Sequence, residues 1–134
     1  MAKTAVIYAT SLGKHVQAVA EYIAKELDAD IFNLKQQMDI ELSGFDRIIL
    51  GTGVHAGRPY SKMNEFVSTH REEIDSKKTS LFVCCMYNDE KGSMQAAKIA
   101  DGYQVHDVTF FPDGGEKNAD GVFKDVVAFV ERMR

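Results

Sequence analysis

The sequence predicts an α/β fold in which a five-stranded parallel sheet lies between two helical layers, a doubly wound three-layer sandwich. Apolar runs alternate with helical patterns throughout the 134 residues, as expected where a parallel sheet is covered on both faces. Right-handed crossovers then bring the carboxyl ends of the strands to one edge. Most glycines outside the helices fall in the loops that this edge would hold, at 10–15, 52–59, 87–92 and 112–118.

The length fits a single domain over residues 1–134. Its 16 basic and 20 acidic side chains give a net charge of −4, which argues against broad nucleic-acid binding. This charge is compatible with small ligands, with basic protein partners or with a merely solvated acidic surface. We recognise no secretory signal, and no run approaches the ~18 apolar residues of a membrane span, so the expected location is cytoplasmic.

The first half of the chain predicts three strands and two helices. The strands cover Lys3–Ala9, Asp30–Leu34 and Phe45–Gly51. The first helix has apolar residues every three or four positions, at Val16, Val19, Ala20, Ile23, Ala24 and Leu27. Pro59 suits the first turn of the second helix, whose buried stripe is predicted at Met63, Phe66, Val67 and His70.

The second half predicts two further strands. Thr79–Met86 is apolar enough to be central, and its adjacent Cys84 and Cys85 are interpreted as packing residues rather than redox groups. Gln104–Phe111 is a less covered fifth strand, followed by a turn at 112–115. Helices are predicted across Met94, Ala97 and Ala100 and across Asp120–Met133, the latter with inner residues Val122, Val126, Phe129, Val130 and Met133.

The first loop at the predicted edge joins a buried strand to a helix and consists of Thr10, Ser11, Leu12, Gly13, Lys14 and His15. The N–H groups of a first helical turn have no intrahelical partner, and with the peptide dipoles they favour an anion. The loop therefore predicts a phosphate cradle. The alternative is a plain turn in which Ser11 only caps the helix.

Over nearly its whole length, the sequence resembles the flavodoxin family in length, order of elements and three loops. That family has the pattern Thr/Ser-x-Thr-Gly-x-Thr around the 5′-phosphate of FMN, and Thr10 and Gly13 match it. Leu12 and His15 replace two hydroxyl positions, each lost hydrogen bond costing roughly 0.5–1.5 kcal/mol. The resemblance implies FMN as the cofactor and the strand order 2-1-3-4-5.

Two further loops extend the resemblance. The segment 51–59 looks like Gly-Thr-Pro-x-Tyr-x-Gly-x-Pro of flavodoxin-like quinone reductases, which implies FMN contacts from Thr52, Gly53, Val54, His55, Ala56 and Gly57. His55 would stand beside the isoalloxazine, and Gly57 near flavin N5. The third loop implies contacts from Met86, Tyr87, Asn88 and Asp89, with Tyr87 stacked on the ring. Arg58 is left open between a phosphate, a substrate carboxylate and solvent.

These patterns favour an FMN-dependent electron carrier that serves redox partner proteins, since no catalytic nucleophile, base or metal-ligand set stands out. One alternative is a flavin-dependent oxidoreductase acting on a quinone or a porphyrinogen. Residues 110–117 resemble a stretch of the menaquinone-dependent protoporphyrinogen oxidases, although the chain has no room for their additional long loop. Another alternative is a flavodoxin-like binding domain that has lost FMN. A phosphoreceiver is disfavoured because Gly51 and Thr52 stand where it needs an aspartate.

Overall fold

The computed structural model describes residues 3–10, 15–55, 58–85, 90–112 and 124–133. Within these ranges the chain forms six strands and five helices. The strands are β1 (Thr4–Tyr8), β2 (Asp30–Asn33), β3 (Arg47–His55), β4 (Arg58–Pro59), β5 (Lys78–Cys85) and β6 (Asp107–Pro112). The helices are α1 (His15–Leu27), α2 (Ser61–Thr69), α3 (Arg71–Ser76), α4 (Glu90–Tyr103) and α5 (Lys124–Met133).

The sheet has the order β2-β1-β3-β5-β6, and each of these neighbours pairs in parallel. The two-residue strand β4 pairs only with β3 and is antiparallel to it. Leaving β4 aside, the predicted order 2-1-3-4-5 is confirmed. In one row of the sheet Tyr8 pairs with Gly51, and Gly51 pairs with Phe82. The carboxyl ends of β1, β3 and β5 therefore lie together at one side, which we call the carboxyl edge; the opposite side is the amino edge.

Both faces of the sheet are buried, which explains why the strands read as continuous apolar runs. On β1, Val6 and Tyr8 pack with α1 and α5, whereas Ala5 and Ile7 pack with α2, α3 and α4. We call these sides the α1/α5 face and the α2–α4 face. The same alternation continues through β3 and β5. Three layers and two cores follow from it, as the sequence predicts.

Helix α1 is formed as its pattern predicts. The five residues Val16, Val19, Ala20, Ile23 and Ala24 are buried, and Leu27 packs against them at the edge of the core. The helix ends at Asp28, which has a φ of 53°. The N–H of Ala29 then donates to the carbonyl of Ala24 at 2.9 Å, so the end has the hydrogen bond of a Schellman motif.

Other expectations are corrected by the structure. Pro59 lies in β4 rather than in a first helical turn, because it pairs with Val54. The second helix ends before His70, whose ψ of 29° turns the chain into α3. The helix predicted across Met94, Ala97 and Ala100 is confirmed as α4. It buries Ala96, Ile99, Ala100 and Tyr103, whereas Met94 is 65% exposed and Ala97 is also exposed, since Met94 stands about 200° around the helix from Ala96 at 3.6 residues per turn.

Boundaries also differ at the carboxyl edge. The third strand continues to His55 rather than stopping at Gly51, and Pro112 ends β6 instead of opening a turn. Cys84 is buried, which agrees with its interpretation as a packing residue. The predicted start of the last helix, including Val122, lies outside the described residues; Val126, Phe129, Val130 and Met133 are buried as predicted.

Candidate functional site

One point at the carboxyl edge, between β1 and β3, has the topology of a ligand-binding crevice. After β1 the chain enters α1 on the α1/α5 face, and after β3 it enters α2 on the opposite face. Adjacent parallel strands whose connections leave on opposite faces form a topological switch point, where open α/β sheets bind their ligands. The topology therefore assigns the candidate site to the ends of β1 and β3.

Helix α1 begins at this switch point, and its first turn contains no acidic residue. The first turn of α2 also contains no acidic residue, whereas α3 has Glu72 and Glu73 and α5 has Asp125 there. An acidic side chain there would compete with an external anion for the unpaired N–H groups and the positive end of the helix dipole. The half-buried Thr10 precedes α1 on the strand side. This arrangement suits a ligand that carries a phosphate.

Beyond the switch point, β3 and β4 form a short antiparallel ribbon, the β3–β4 hairpin. Val54 pairs with Pro59, and the backbone of His55 pairs with that of Arg58. The pairing of β3 with β1 ends at Gly51, whose carbonyl accepts the N–H of Ala9 at 2.9 Å. The hairpin thus extends past the last row shared with β1. Thr52 to His55, expected in a loop, belong to a strand.

The base of the hairpin is held by Thr52, whose side chain is fully buried. The Thr52 hydroxyl donates to the Gly53 carbonyl at 2.9 Å and accepts the N–H of Tyr60 at 3.2 Å. The Tyr60 carbonyl in turn accepts the N–H of Met63 at 3.0 Å as α2 begins. One hydroxyl therefore connects the end of β3 to the start of α2.

The Tyr60 ring lies against the backbone of Gly53. A Cβ added at Gly53 would fall 2.4 Å from the Tyr60 hydroxyl oxygen and 2.7 Å from Cζ, closer than packed atoms approach. Tyr60 also contacts both hydrophobic cores, so its ring closes the carboxyl edge over β3. A side chain at position 53 would therefore displace the Tyr60 ring from its place over β3.

Tyr8 is a second aromatic residue of the site that the sequence patterns did not single out. It ends β1, is buried on the α1/α5 face and pairs with Gly51. Burial raises the pKa of the Tyr8 phenol, and the charge of Glu21 adds to this, while a hydrogen bond from the Asn33 side chain opposes it. The sequence contained a signal for this placement, because side chains alternate between the faces of a strand and Tyr8 therefore lies on the same face as Val6.

The structure brings part of the predicted site together. Thr10, Thr52, Gly53 and Val54 are described at the carboxyl edge, and His15 and His55 are placed there by their backbones. The remaining predicted contacts lie outside the described residues: Ser11, Leu12, Gly13, Lys14, Ala56, Gly57, Met86, Tyr87, Asn88 and Asp89. The register nonetheless ends β5 beside β3, with Cys84 opposite Gly53.

A cavity of about 1050 Å³ lies at the amino edge, far from the switch point. Three of its basic side chains already have partners. Arg47 donates to the Met133 carbonyl at 3.1 Å and Lys77 to the Phe45 carbonyl at 2.6 Å. Arg132 pairs with Asp107 at 2.7 Å. Since α3, α4 and α5 end here, these cations balance the negative ends of helix dipoles. We therefore do not place the ligand site in this cavity.

Two other features, a metal-binding cluster and a membrane-spanning helix, are absent from the described residues. Within them, no group of three or more His, Cys, Asp or Glu side chains is arranged to hold a metal ion. No helix among these residues is both long and apolar enough to cross a membrane.

Comparisons with known proteins agree with this geometry. A family model described as a flavodoxin domain matches residues 5–117. Oxidised Flavodoxin 2 from Bacillus cereus has a similar structure, with a TM-score of 0.73, 21% identity and coverage of 97% of this chain and 96% of that one. A Fusobacterium nucleatum flavodoxin bound to flavin mononucleotide gives a TM-score of 0.64 and 17% identity, with coverage of 99% and 97%.

A curated relative is the protoporphyrinogen IX dehydrogenase [quinone] of Escherichia coli strain K12. It is 26% identical over 85 residues, which are 60% of this chain. The match covers only 46% of that relative, so the chain spans about half the length of the curated protein it matches.

Proposed function

This chain belongs to the flavodoxin domain family, and on that premise we propose that it binds FMN and carries electrons to partner proteins. The observation that supports this most is the switch point between β1 and β3. There the acid-free first turn of α1 and the β3–β4 hairpin meet at one edge. FMN carries a phosphate and a planar isoalloxazine ring at the two ends of a ribityl chain, and each end has a suitable neighbour.

We assign the phosphate to the start of α1. The N–H groups of its first turn are donors without intrahelical acceptors, and the hydroxyls of Thr10 and Ser11 would add to them. Lys14 would contribute charge. Leu12 and His15 remove two hydroxyls found in the flavodoxin pattern, so the backbone carries a larger share of the binding here.

We assign the isoalloxazine ring to the space between the β3–β4 hairpin and the residues after β5. In this proposal His55 and Tyr87 stand on either side of the ring, the backbone of 52–57 lines it, and Met86, Asn88 and Asp89 lie along its pyrimidine edge. When bound, FMN supplies the redox chemistry. The residues of the chain orient the ring and leave one edge open to a partner.

The charge of the protein would affect both the choice of redox partner and the reduction potential of the flavin. The net charge of −4 favours a redox partner with a basic surface. Carboxylates near the ring disfavour an anionic reduced form and lower the reduction potential. We also propose a cytoplasmic location, where a buried cysteine thiol such as that of Cys84 stays reduced.

The absorption spectrum of the purified protein, taken with and without added FMN, tests this proposal. We expect a yellow protein, or a colourless one that becomes yellow and quenches flavin fluorescence when FMN is added. If free FMN fluorescence stays unquenched at about micromolar protein, a range in which specific ligands commonly bind, the chain is a flavodoxin-like domain that has lost its cofactor.

A second candidate function is a flavin-dependent oxidoreductase that acts on a quinone or a porphyrinogen. The observation in its favour is the sequence match to the Escherichia coli protoporphyrinogen IX dehydrogenase [quinone]. Adding a quinone or a porphyrinogen to the FMN-loaded protein separates the two functions. Rapid turnover without any protein acceptor indicates the enzyme, and slow transfer that a protein acceptor accelerates indicates the carrier.

A further inference from the structure

We propose that Thr52 is a positioning residue, whose hydroxyl fixes the β3–β4 hairpin at the height and angle that FMN binding needs. This inference rests on the proposed function and extends it to a residue that acts through the backbone of Tyr60. The side chain of Thr52 is fully buried, and its hydroxyl bonds inside the protein, to Gly53 and Tyr60.

The β3–β4 hairpin is a short ribbon whose Val54 and Tyr60 side chains pack against the hydrophobic core. Its two cross-strand pairs are Val54 with Pro59 and His55 with Arg58. Pro59 has no N–H, so it cannot donate a ladder hydrogen bond to β3. The next N–H along the chain is that of Tyr60, and it is the one that Thr52 accepts, at 3.2 Å. The Thr52 hydroxyl thus supplies a cross-strand bond one residue beyond the last backbone pair of the hairpin.

The same bond fixes the start of α2. Tyr60 is the N-cap of that helix and makes no side-chain capping bond. Its backbone is extended, with φ −64° and ψ 142°, and its ring packs over Gly53. Without the Thr52 acceptor, the Tyr60 N–H would lose its partner at a partly buried position, and the hairpin would be free to shift relative to α2. Small displacements of positioning groups have large effects on binding and chemistry.

Thr52→Val is the informative variant, because it keeps the shape of the side chain and replaces only the hydroxyl with a methyl group. Thr79→Val is the matched control: its hydroxyl donates to the Ile74 carbonyl at 2.9 Å, but it lies near the amino edge. Thr52→Ser keeps the hydroxyl and is the rescue variant. Should Thr52→Val not fold, Thr52→Ala compared with Thr52→Ser isolates the same hydroxyl.

Two measurements are made on each variant. In FMN-free protein, we expect the Tyr60 amide to exchange with solvent at least roughly fivefold faster in Thr52→Val than in Thr79→Val, because one buried hydrogen bond is lost. In FMN titrations, we expect roughly fivefold weaker binding and an altered reduction potential for Thr52→Val alone. Thr52→Ser should resemble the wild-type protein in both.

The outcomes separate this inference from the proposed function. A wild-type protein that does not bind FMN contradicts both. If the wild type binds FMN and Thr52→Val binds it with unchanged affinity and potential, the positioning role is wrong and the proposed function stands. A Tyr60 amide that exchanges equally fast in Thr52→Val and Thr79→Val also overturns the positioning role.

Discussion

The ring of Phe82 occupies the space in which a side chain at Gly51 would stand. A Cβ built on Gly51 would lie 2.0 Å from Cζ of Phe82 and within 2.6 Å of two further ring carbons. The two residues pair across β3 and β5, and Phe82 is fully buried on the α1/α5 face. Packing thus favours glycine at position 51, where the fully buried Phe82 ring has no room to move aside.

Gly51→Ala is therefore expected to destabilise the fold by about 1–3 kcal/mol, the range for overpacked cores. Urea unfolding measures the change. Gly102→Ala on α4 is the matched control, because nothing lies within 4 Å of its added Cβ; it should stabilise the protein by up to about 1 kcal/mol through helix propensity. Equal stability of the Gly51→Ala and wild-type proteins would show that the Phe82 ring does not occupy this space.

At two helix ends, replacing the native residue with glycine is expected to increase the stability of the protein. Asp28 and Gln104 have φ values of 53° and 57°, which are unfavourable for residues with a Cβ by about 1 kcal/mol. Gln104→Gly should raise the free energy of unfolding by about 0.5–1 kcal/mol. Asp28→Gly should gain more, because it also removes an acidic group from the negative end of α1. Gln104→Ala is the control and should give no gain.

Alkaline pH should destabilise the protein partly through Tyr103. Burial raises the pKa of its phenol above the ordinary value of 10.0, and its hydroxyl donates to the Asn64 side chain. Above about pH 10 the unfolded chain releases the proton first, so the free energy of unfolding falls as pH rises toward the folded-state pKa. In Tyr103→Phe this fall should be smaller by up to about 1.4 kcal/mol per pH unit.

Denaturant unfolding between about pH 8 and pH 11 measures that slope for the wild-type and Tyr103→Phe proteins. Tyr8 also has a raised pKa, caused first by burial, so some alkaline sensitivity should remain in the variant. Identical slopes in the two proteins would mean that Tyr103 does not stay neutral when the chain folds.

An acidic residue in the first turn of α1 should weaken phosphate binding. Gln17 is half-buried in that turn, and its side chain donates to Glu21 at 2.9 Å. Gln17→Glu places a negative charge beside the proposed phosphate, and we expect roughly fivefold weaker FMN binding at low salt. Riboflavin, which lacks the phosphate, should bind equally to both proteins.

Gln17→Met is the neutral control, since it also loses the bond to Glu21. A Gln17→Glu protein that binds FMN as tightly as the Gln17→Met protein would place the phosphate away from α1.

The sequence was sufficient to predict the parts of the fold that depend on strong local patterns. The buried stripe of α1 is confirmed because many apolar residues lie on one face of the helix. The buried strands are confirmed because apolar residues lie on both of their faces. The helix across Met94, Ala97 and Ala100 is confirmed as α4, although Met94 and Ala97 are exposed on it. The α2–α3 break at His70 was not predicted; there the ring stacks on Phe66 with centroids 4.2 Å apart.

The β3–β4 hairpin was missed for a different reason. Residues 51–59 contain three glycines and a proline, a composition that favours a loop. Two of those glycines, Gly51 and Gly53, face the rings of Phe82 and Tyr60, and the Thr52 hydroxyl accepts the N–H of Tyr60. These contacts are tertiary, so no local pattern in the sequence reports them.

A parallel titration of the wild-type protein with FMN and with riboflavin tests the central claim most directly. The claim is that the β1–β3 switch point binds a flavin by its phosphate at α1 and by its ring at the β3–β4 hairpin. We expect FMN to bind at least roughly tenfold more tightly than riboflavin, because charge-assisted hydrogen bonds to a phosphate are strong, with this preference declining as salt is added. Equal affinities for the two flavins, or no binding of either, would contradict the claim.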